Sequence, residues 1–150
     1  MSSERDGTDD GSADEVARRS AQAMWDADAA SAALGIELVD VGPGRARLRM
    51  RVTEVMVNGH AIVHGGLVFT LADSAFAVAC NTHGVVTVAA GADITFVAPA
   101  RLGDVLVADA VEQVRYGRSG VTDVRVLREG PDGGTLVALF QGRSRSLPGG

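Results

Sequence analysis

The chain contains no lysine. All 14 of its basic residues are arginine, against 19 Asp and Glu, for a net charge of -5. No physical role in the sequence demands that bias. Aromatic residues make up only 4% of the chain. Nucleic-acid binding needs a basic footprint and stacking platforms, and an acidic chain poor in aromatics supplies neither. The single cysteine, Cys80, excludes an internal disulfide and points to a reducing compartment, so a cytoplasmic location is expected. No apolar run is long enough to span a bilayer. The longest, from Leu67 to Cys80, is interrupted by Thr70, Asp73 and Ser74. The N-terminal MSSERDGTDDGS lacks the apolar stretch of a signal peptide. Neither a membrane nor a nucleic acid is an expected partner.

What remains is a chain of 150 residues, 46% hydrophobic, suited to one domain with an aliphatic core of Val, Ala and Leu. Residues 1–11 read as a disordered polar tail, and 12–150 as the single domain. Ser12 to Glu15 fits an S-x-x-E capping box. An alanine-rich helix is expected from there to about Ala33, stopped by Gly35. Ile36 to Val41 reads as a strand, followed by a turn at Gly42-Pro43-Gly44. The next segment, RARLRMRV, alternates strictly. Arg45, Arg47, Arg49 and Arg51 share one face, the period of a half-buried strand. They are read as the solvated face of an edge strand rather than as a site for phosphates.

A long helix is expected from about Gly66 to Thr82. Its apolar residues lie on nearly all sides, so it should be buried all round. Strand-like runs at about 85–97, 104–115, 120–129 and 134–146 supply the wrapping. The short turns between them favour antiparallel pairing. The expected fold class is α+β: an antiparallel sheet of five or six strands wrapped around a long central helix. Another layered α+β domain has the same elements.

Asp73 sits in the middle of that helix, with Phe69, Phe76 and Ala77 as neighbours on its face. No Lys or Arg lies between Arg51 and Arg101. A buried carboxylate without a cation is costly and titrates high. Either it is functional, or Thr70, Ser74 or backbone N–H groups satisfy it. His64-Gly65-Gly66 stands at the helix N-terminus, where backbone N–H groups have no intrahelical partner. Gly65 there can supply an N–H to a carbonyl oxygen gaining charge, or the pair is a plain tight turn. Gly65 and Asp73 are eight residues apart, about 12 Å along one helix. They cannot reach one carbonyl carbon from the same chain. If both act, Asp73 comes from a second subunit, and a two-fold dimer builds two equivalent sites.

Asn58 can hold the carbonyl or a water, or simply form a turn. His60 and His64 have metal-ligand spacing only on a helix, and Gly59 with β-branched Ile62-Val63 argues against one, so no metal is expected. Cys80 lacks a basic activator and reads as a buried thiol. No G-x-S-x-G elbow is present. Arg118-Ser119 lies in a turn that can hold a phosphate, though its composition is also that of an ordinary turn.

The run NGHAIVHGGLVFTLADSAFAVACNTHG resembles the core motif of the phenylacetic-acid-degradation thioesterases (PaaI type) of the hotdog superfamily. The resemblance covers about residues 20–146, through ADITFVAPARLGD and VALFQGRSRS. It implies a hotdog fold and hydrolysis of aryl- or hydroxyaryl-acyl-CoA, such as phenylacetyl-CoA, without a cofactor beyond the CoA of the substrate. It implies Asp73 as the catalytic carboxylate and Gly65 as the polarising N–H donor, with Asn58 and His64 beside them; Gly66, read from the residues alone, lets a substrate approach the backbone closely. It also implies a dimer of dimers with sites at the dimer interface. Some relatives carry a Ser on the strand after the helix. Here that stretch reads VTVAAGAD, with Ala89 and Ala90, leaving Thr87 or Thr95 as the hydroxyls at hand. Two rival functions share the fold: a non-catalytic acyl-CoA-binding module, and a hydratase or dehydratase using Asp73 with His64.

Overall fold

The computed structural model describes residues 6–131 and 133–148. Six strands form one antiparallel sheet in the order β1-β2-β4-β5-β6-β3. They are β1 (Glu37–Gly42), β2 (Arg45–Arg51), β3 (Thr87–Phe96), β4 (Val105–Tyr116), β5 (Ser119–Arg128) and β6 (Thr135–Ser146). The helix α3 (Gly65–Cys80) lies across the sheet, packed on β2, β4 and β5 and more lightly on β3 and β6.

Alternation in sequence becomes alternation in burial. Along β2, Ala46, Leu48 and Met50 are buried, while the arginines face water. That solvated face is as expected, but its placement at an edge is not. β2 lies between β1 and β4, and β1 is the edge. The arginines pair across the strands: Arg47 with Asp109 at 2.6 Å and Arg45 with Asp40 at 2.8 Å.

The N-terminal helical region differs from expectation in two ways. Helix α1 runs Asp6–Asp26, through Ser12, so no capping box forms there. Of the expected tail, residues 6–11 belong to α1 and residues 1–5 lie outside the described residues. The helix also breaks before Ala33. Asp28 caps a separate short helix, α2 (Ala29–Ala33), by accepting the Ser31 N–H, and a side chain competing for a backbone donor in this way starts a new helix.

Helix α3 is not wrapped all round. Val68, Leu71, Ala72, Ala75, Phe76, Val78 and Ala79 are buried. Leu67, Thr70, Asp73 and Ala77, spaced three to four residues apart, form a stripe that is only half-buried. The far end of α3 is fastened to the β1–β2 turn. Thr82 Oγ1 accepts the Gly44 N–H at 2.7 Å, and His83 Nε2 lies 2.8 Å from Glu112 Oε1 on β4.

Where α3 meets β6 the approach is close at one ring. The Phe76 ring is 1% exposed and tilted against Phe140, with centroids 5.8 Å apart. It rests directly on Gly142, at which a Cβ would overlap the ring.

Candidate active site

The start of α3 is organised by His64. Its backbone is extended, and its Nδ1 accepts the Gly66 N–H at 3.1 Å. The imidazole therefore caps the helix, with the ring proton on Nε2. Gly66 is thereby committed to His64. The Gly65 N–H makes no hydrogen bond among the described residues. Of the two adjacent glycines, Gly65 is the donor left for a ligand. His64→Ala is expected to cost ~1 kcal/mol of stability through the lost cap, measured by urea denaturation, with a smaller effect on turnover than removing Asp73.

Asn58 is a turn-former and more. Its Oδ1 accepts the N–H groups of His60 at 2.9 Å and Ile62 at 3.2 Å. Both sites of its amide oxygen are used by the loop, leaving the Nδ2 hydrogens uncommitted among the described residues. The loop is knitted further: Val63 N–H donates to Ala100 and His64 N–H to Met56. Ala61 holds φ 59°, a left-handed conformation for a residue with a Cβ. Asn58, His64 and Gly65 are thus held by one rigid loop at one end of α3.

The Phe96 ring stands over Gly65, where an added Cβ would meet its Cζ at 3.0 Å. Beside it opens a cleft of 330 Å³ lined by Ile62, Val63, Gly65, Val68, Phe96 and Val137. The lining is apolar apart from backbone. A larger concavity of 540 Å³ lies on the outer face of the sheet, among Asp93, Asp109, Asp123 and Arg125. Asn58, His64, Gly65, Gly66, Asp73, Arg118 and Ser119 do not line it.

Asp73 is two turns along α3 from Gly65, on the half-buried stripe. The hydroxyls beside it are spent elsewhere. Thr70 Oγ1 donates to Gly66 O at 2.9 Å, and Ser74 Oγ lies 2.9 Å from Ser31 Oγ. Asp73 itself makes no hydrogen bond or ion pair among the described residues, so local hydroxyls do not account for it. Burial, and after it the negative charge of Asp28, push its carboxyl above the usual carboxylate range. A carboxylate held in this state is suited to taking a proton or attacking carbon.

Within one chain the candidates fall into three places. Asn58, His64, Gly65 and Gly66 share the start of α3, and Asp73 sits mid-helix. Arg118 and Ser119 lie at the β4–β5 turn, at the end of the sheet where α3 finishes: Ser146 N–H donates to Arg118 O, next to Leu147 on Val86. Thr87 Oγ1 is taken by Val85 O and Ser146 Oγ. Thr95 lines the outer-face concavity, away from α3. Cys80 is buried, and its thiol is pushed up to about 12, first by that burial, which fits an inert thiol. Among the described residues no group of His, Cys, Asp and Glu is arranged to hold a metal. Sequence reasoning missed Asp28. Its one signal was an acceptor three residues ahead of Ser31, which is N-cap spacing.

Comparison with known proteins bears on the fold and the family. The chain is 40% identical over 131 residues to acyl-coenzyme A thioesterase PaaI of Escherichia coli (strain K12), spanning 87% of this chain and 91% of that one. The structure of the E. coli PaaI protein from the phenylacetic acid degradation operon matches with a TM-score of 0.86 at 39% identity, over 91% of this chain and 96% of that one. A mutant of the phenylacetic acid degradation protein PaaI from Thermus thermophilus matches with a TM-score of 0.73 at 36% identity, over 78% and 97%. The helix-wrapped sheet is a hotdog fold. The profile of the thioesterase superfamily covers residues 60–135, from the loop before α3 to the start of β6, and the chain belongs to that superfamily.

Proposed function

We propose that this protein hydrolyses aryl-acyl-CoA thioesters, of the phenylacetyl-CoA type, to the free acid and CoA. The observation that carries the reading is a free Gly65 N–H at a capped helix start, together with an unpaired, half-buried Asp73 on the same helix. The Gly65 N–H and the Asn58 amide hydrogens receive the thioester oxygen as it gains charge. Asp73 takes a proton from water as the water adds to the carbonyl carbon, and CoA leaves as its thiol. A raised carboxyl favours that base role. The route needs no metal or further cofactor. The apolar cleft beside Gly65 suits the acyl portion, while Arg118 and Ser119 are assigned, more remotely, to CoA phosphate. The names of the relatives support the aryl-acyl class, and the lone, buried Cys80 fits a reducing cytoplasm.

The acting unit is a dimer, assembled further as a dimer of dimers, in which Asp73 of one chain serves Gly65 and Asn58 of a second copy. Eight residues of helix separate Gly65 from Asp73, about 12 Å. Edge strand β3 also supports pairing. It is ten residues long, carries only Asp93 as a charge, and has Val88 and Phe96 exposed. A long apolar edge without a partner is a template for association.

Free-thiol release from a panel of acyl-CoAs tests the activity. Release from phenylacetyl-CoA with little from short alkyl esters supports the reading. Binding without release makes the protein a mere acyl-CoA module, and loss of an enoyl chromophore without thiol makes it a hydratase. Mixing tests the shared site. Asp73→Asn and Asn58→Ala, each inactive, are refolded together. Half of the dimers are then mixed, each with one intact site, so about a quarter of wild-type activity should return. No recovery places both residues in one chain's site. Oxygen-18 water in a single turnover separates base from nucleophile, since only the nucleophilic route labels Asp73.

A further inference from the structure

Asp28 stands at the corner between α1 and α2. Its Oδ1 accepts the Ser31 N–H at 2.9 Å, and its Oδ2 accepts the Ser31 hydroxyl at 2.6 Å. Ser31 is 1% exposed, and its Oγ lies 2.9 Å from Ser74 Oγ, 43 residues away in sequence. An ionised carboxylate only accepts, so the Ser31 hydroxyl points at Asp28 and accepts in turn from Ser74. The direction of the chain is fixed, from Ser74 to Ser31 to Asp28. Capping α2 needs only the Ser31 N–H. The hydroxyl link to α3 is additional, and it ends on the residue next to Asp73. Neither Asp28 nor Asp73 has an ion-pair partner among the described residues.

We propose that Asp28 is a positioning residue for Asp73: through Ser31 and Ser74 it clamps the turn of α3 that carries Asp73, and it holds a second negative charge toward the reacting carboxylate. The proposal rests on Asp73 being the group that reacts. A like charge disfavours the ionised form and makes the carboxylate a stronger base, and Asp28 contributes to the rise at Asp73 after burial itself. Cys80, two turns along α3 from Asp73, stays uncharged because burial pushes its thiol up to about 12.

The test is the pH profile of kcat/KM for phenylacetyl-CoA hydrolysis in the wild type, Asp28→Asn and Ser31→Ala. Asn still caps a helix but carries no charge. The acidic limb of Asp28→Asn should move to lower pH, because the facing charge is gone. Ser31→Ala keeps the charge and loses the clamp, so its limb should stay in place while kcat falls several-fold at unchanged KM. An Asp28→Asn limb superimposed on the wild type, with only a lower Tm, makes Asp28 a plain cap and overturns the proposal. Asp28→Ser replaces Asp28→Asn if the latter does not fold. If neither folds, the wild type decides by carbon-13 titration of the Asp73 carboxyl at 0.05 and 1 M salt. A midpoint that falls with salt supports a facing charge, and one that does not move overturns it. Asp73→Asn keeps the two readings apart. If it still turns over, the active-site reading fails. If it is inactive while the Asp28→Asn limb stays put, only the role of Asp28 fails.

Discussion

Asp73→Asn is expected to lower kcat by roughly 10²–10⁴-fold and, at neutral pH, to raise Tm. The two effects have one cause. Asp73 sits on a half-buried stripe with no hydrogen bond or cation among the described residues, and its carboxyl is raised by burial and then by Asp28. Asparagine keeps the shape but neither takes a proton nor attacks carbon. Its neutral amide is also cheaper to bury than an unpaired carboxylate. A carboxyl whose pKa rises on folding costs nothing below its unfolded value, about 4. The cost appears as pH climbs through the higher folded value. The Tm gap between variant and wild type should therefore be present at pH 8 and close as pH falls toward 4. Thiol release at saturating phenylacetyl-CoA and melting curves across that range measure both. A variant with near wild-type turnover removes Asp73 from the chemistry. A variant that melts lower at pH 8 shows a favourable partner for the carboxylate.

Gly142→Ala is expected to destabilise the protein by about 3 kcal/mol, with far less effect on the site groups themselves. The added methyl overlaps the Phe76 ring, which is 1% exposed and wedged between α3, β6 and Phe140. A ring buried on all sides has nowhere to turn, so helix and sheet must separate or Phe76 must leave its rotamer. Phe76→Leu alone is expected to cost ~1–2 kcal/mol for the space it leaves. Combined with Gly142→Ala it should cost less than the sum, because the smaller side chain makes room for the methyl. Urea denaturation of the four proteins gives the coupling energy. Strict additivity would mean that the glycine is required for another reason.

Much of the fold was legible because its signals are local. The alternation of RARLRMRV fixed which face of β2 is wet, since side chains alternate whatever the neighbouring strands. It said nothing of whether β2 lies at the edge, because strand order depends on residues far along the chain. The helix break at Asp28 escaped the alanine-rich pattern because one aspartate favours a cap over continuation only where the chain has room to turn.

The site divides along the same line. The motif from Asn58 to Asp73 was visible as residue types at a spacing, and helix rise alone separated its two halves. Which glycine N–H remains free was not visible. That depends on where the His64 ring points, and it points at Gly66. Nor did the sequence distinguish a satisfied Asp73 from an unsatisfied one. Thr70 and Ser74 were both close enough to serve it, and tertiary packing gave Thr70 to Gly66 O and Ser74 to Ser31. The sequence by itself determined the helix, the strands, and the residue types able to act on a thioester, because periodicity and side-chain chemistry are properties of neighbours in the chain. The tertiary structure alone decided the order of the strands, the stripe of α3 left uncovered, and the hydroxyl link from Asp28 toward Asp73, because these depend on groups far apart in the chain, as Ser31 and Ser74 are at 43 residues.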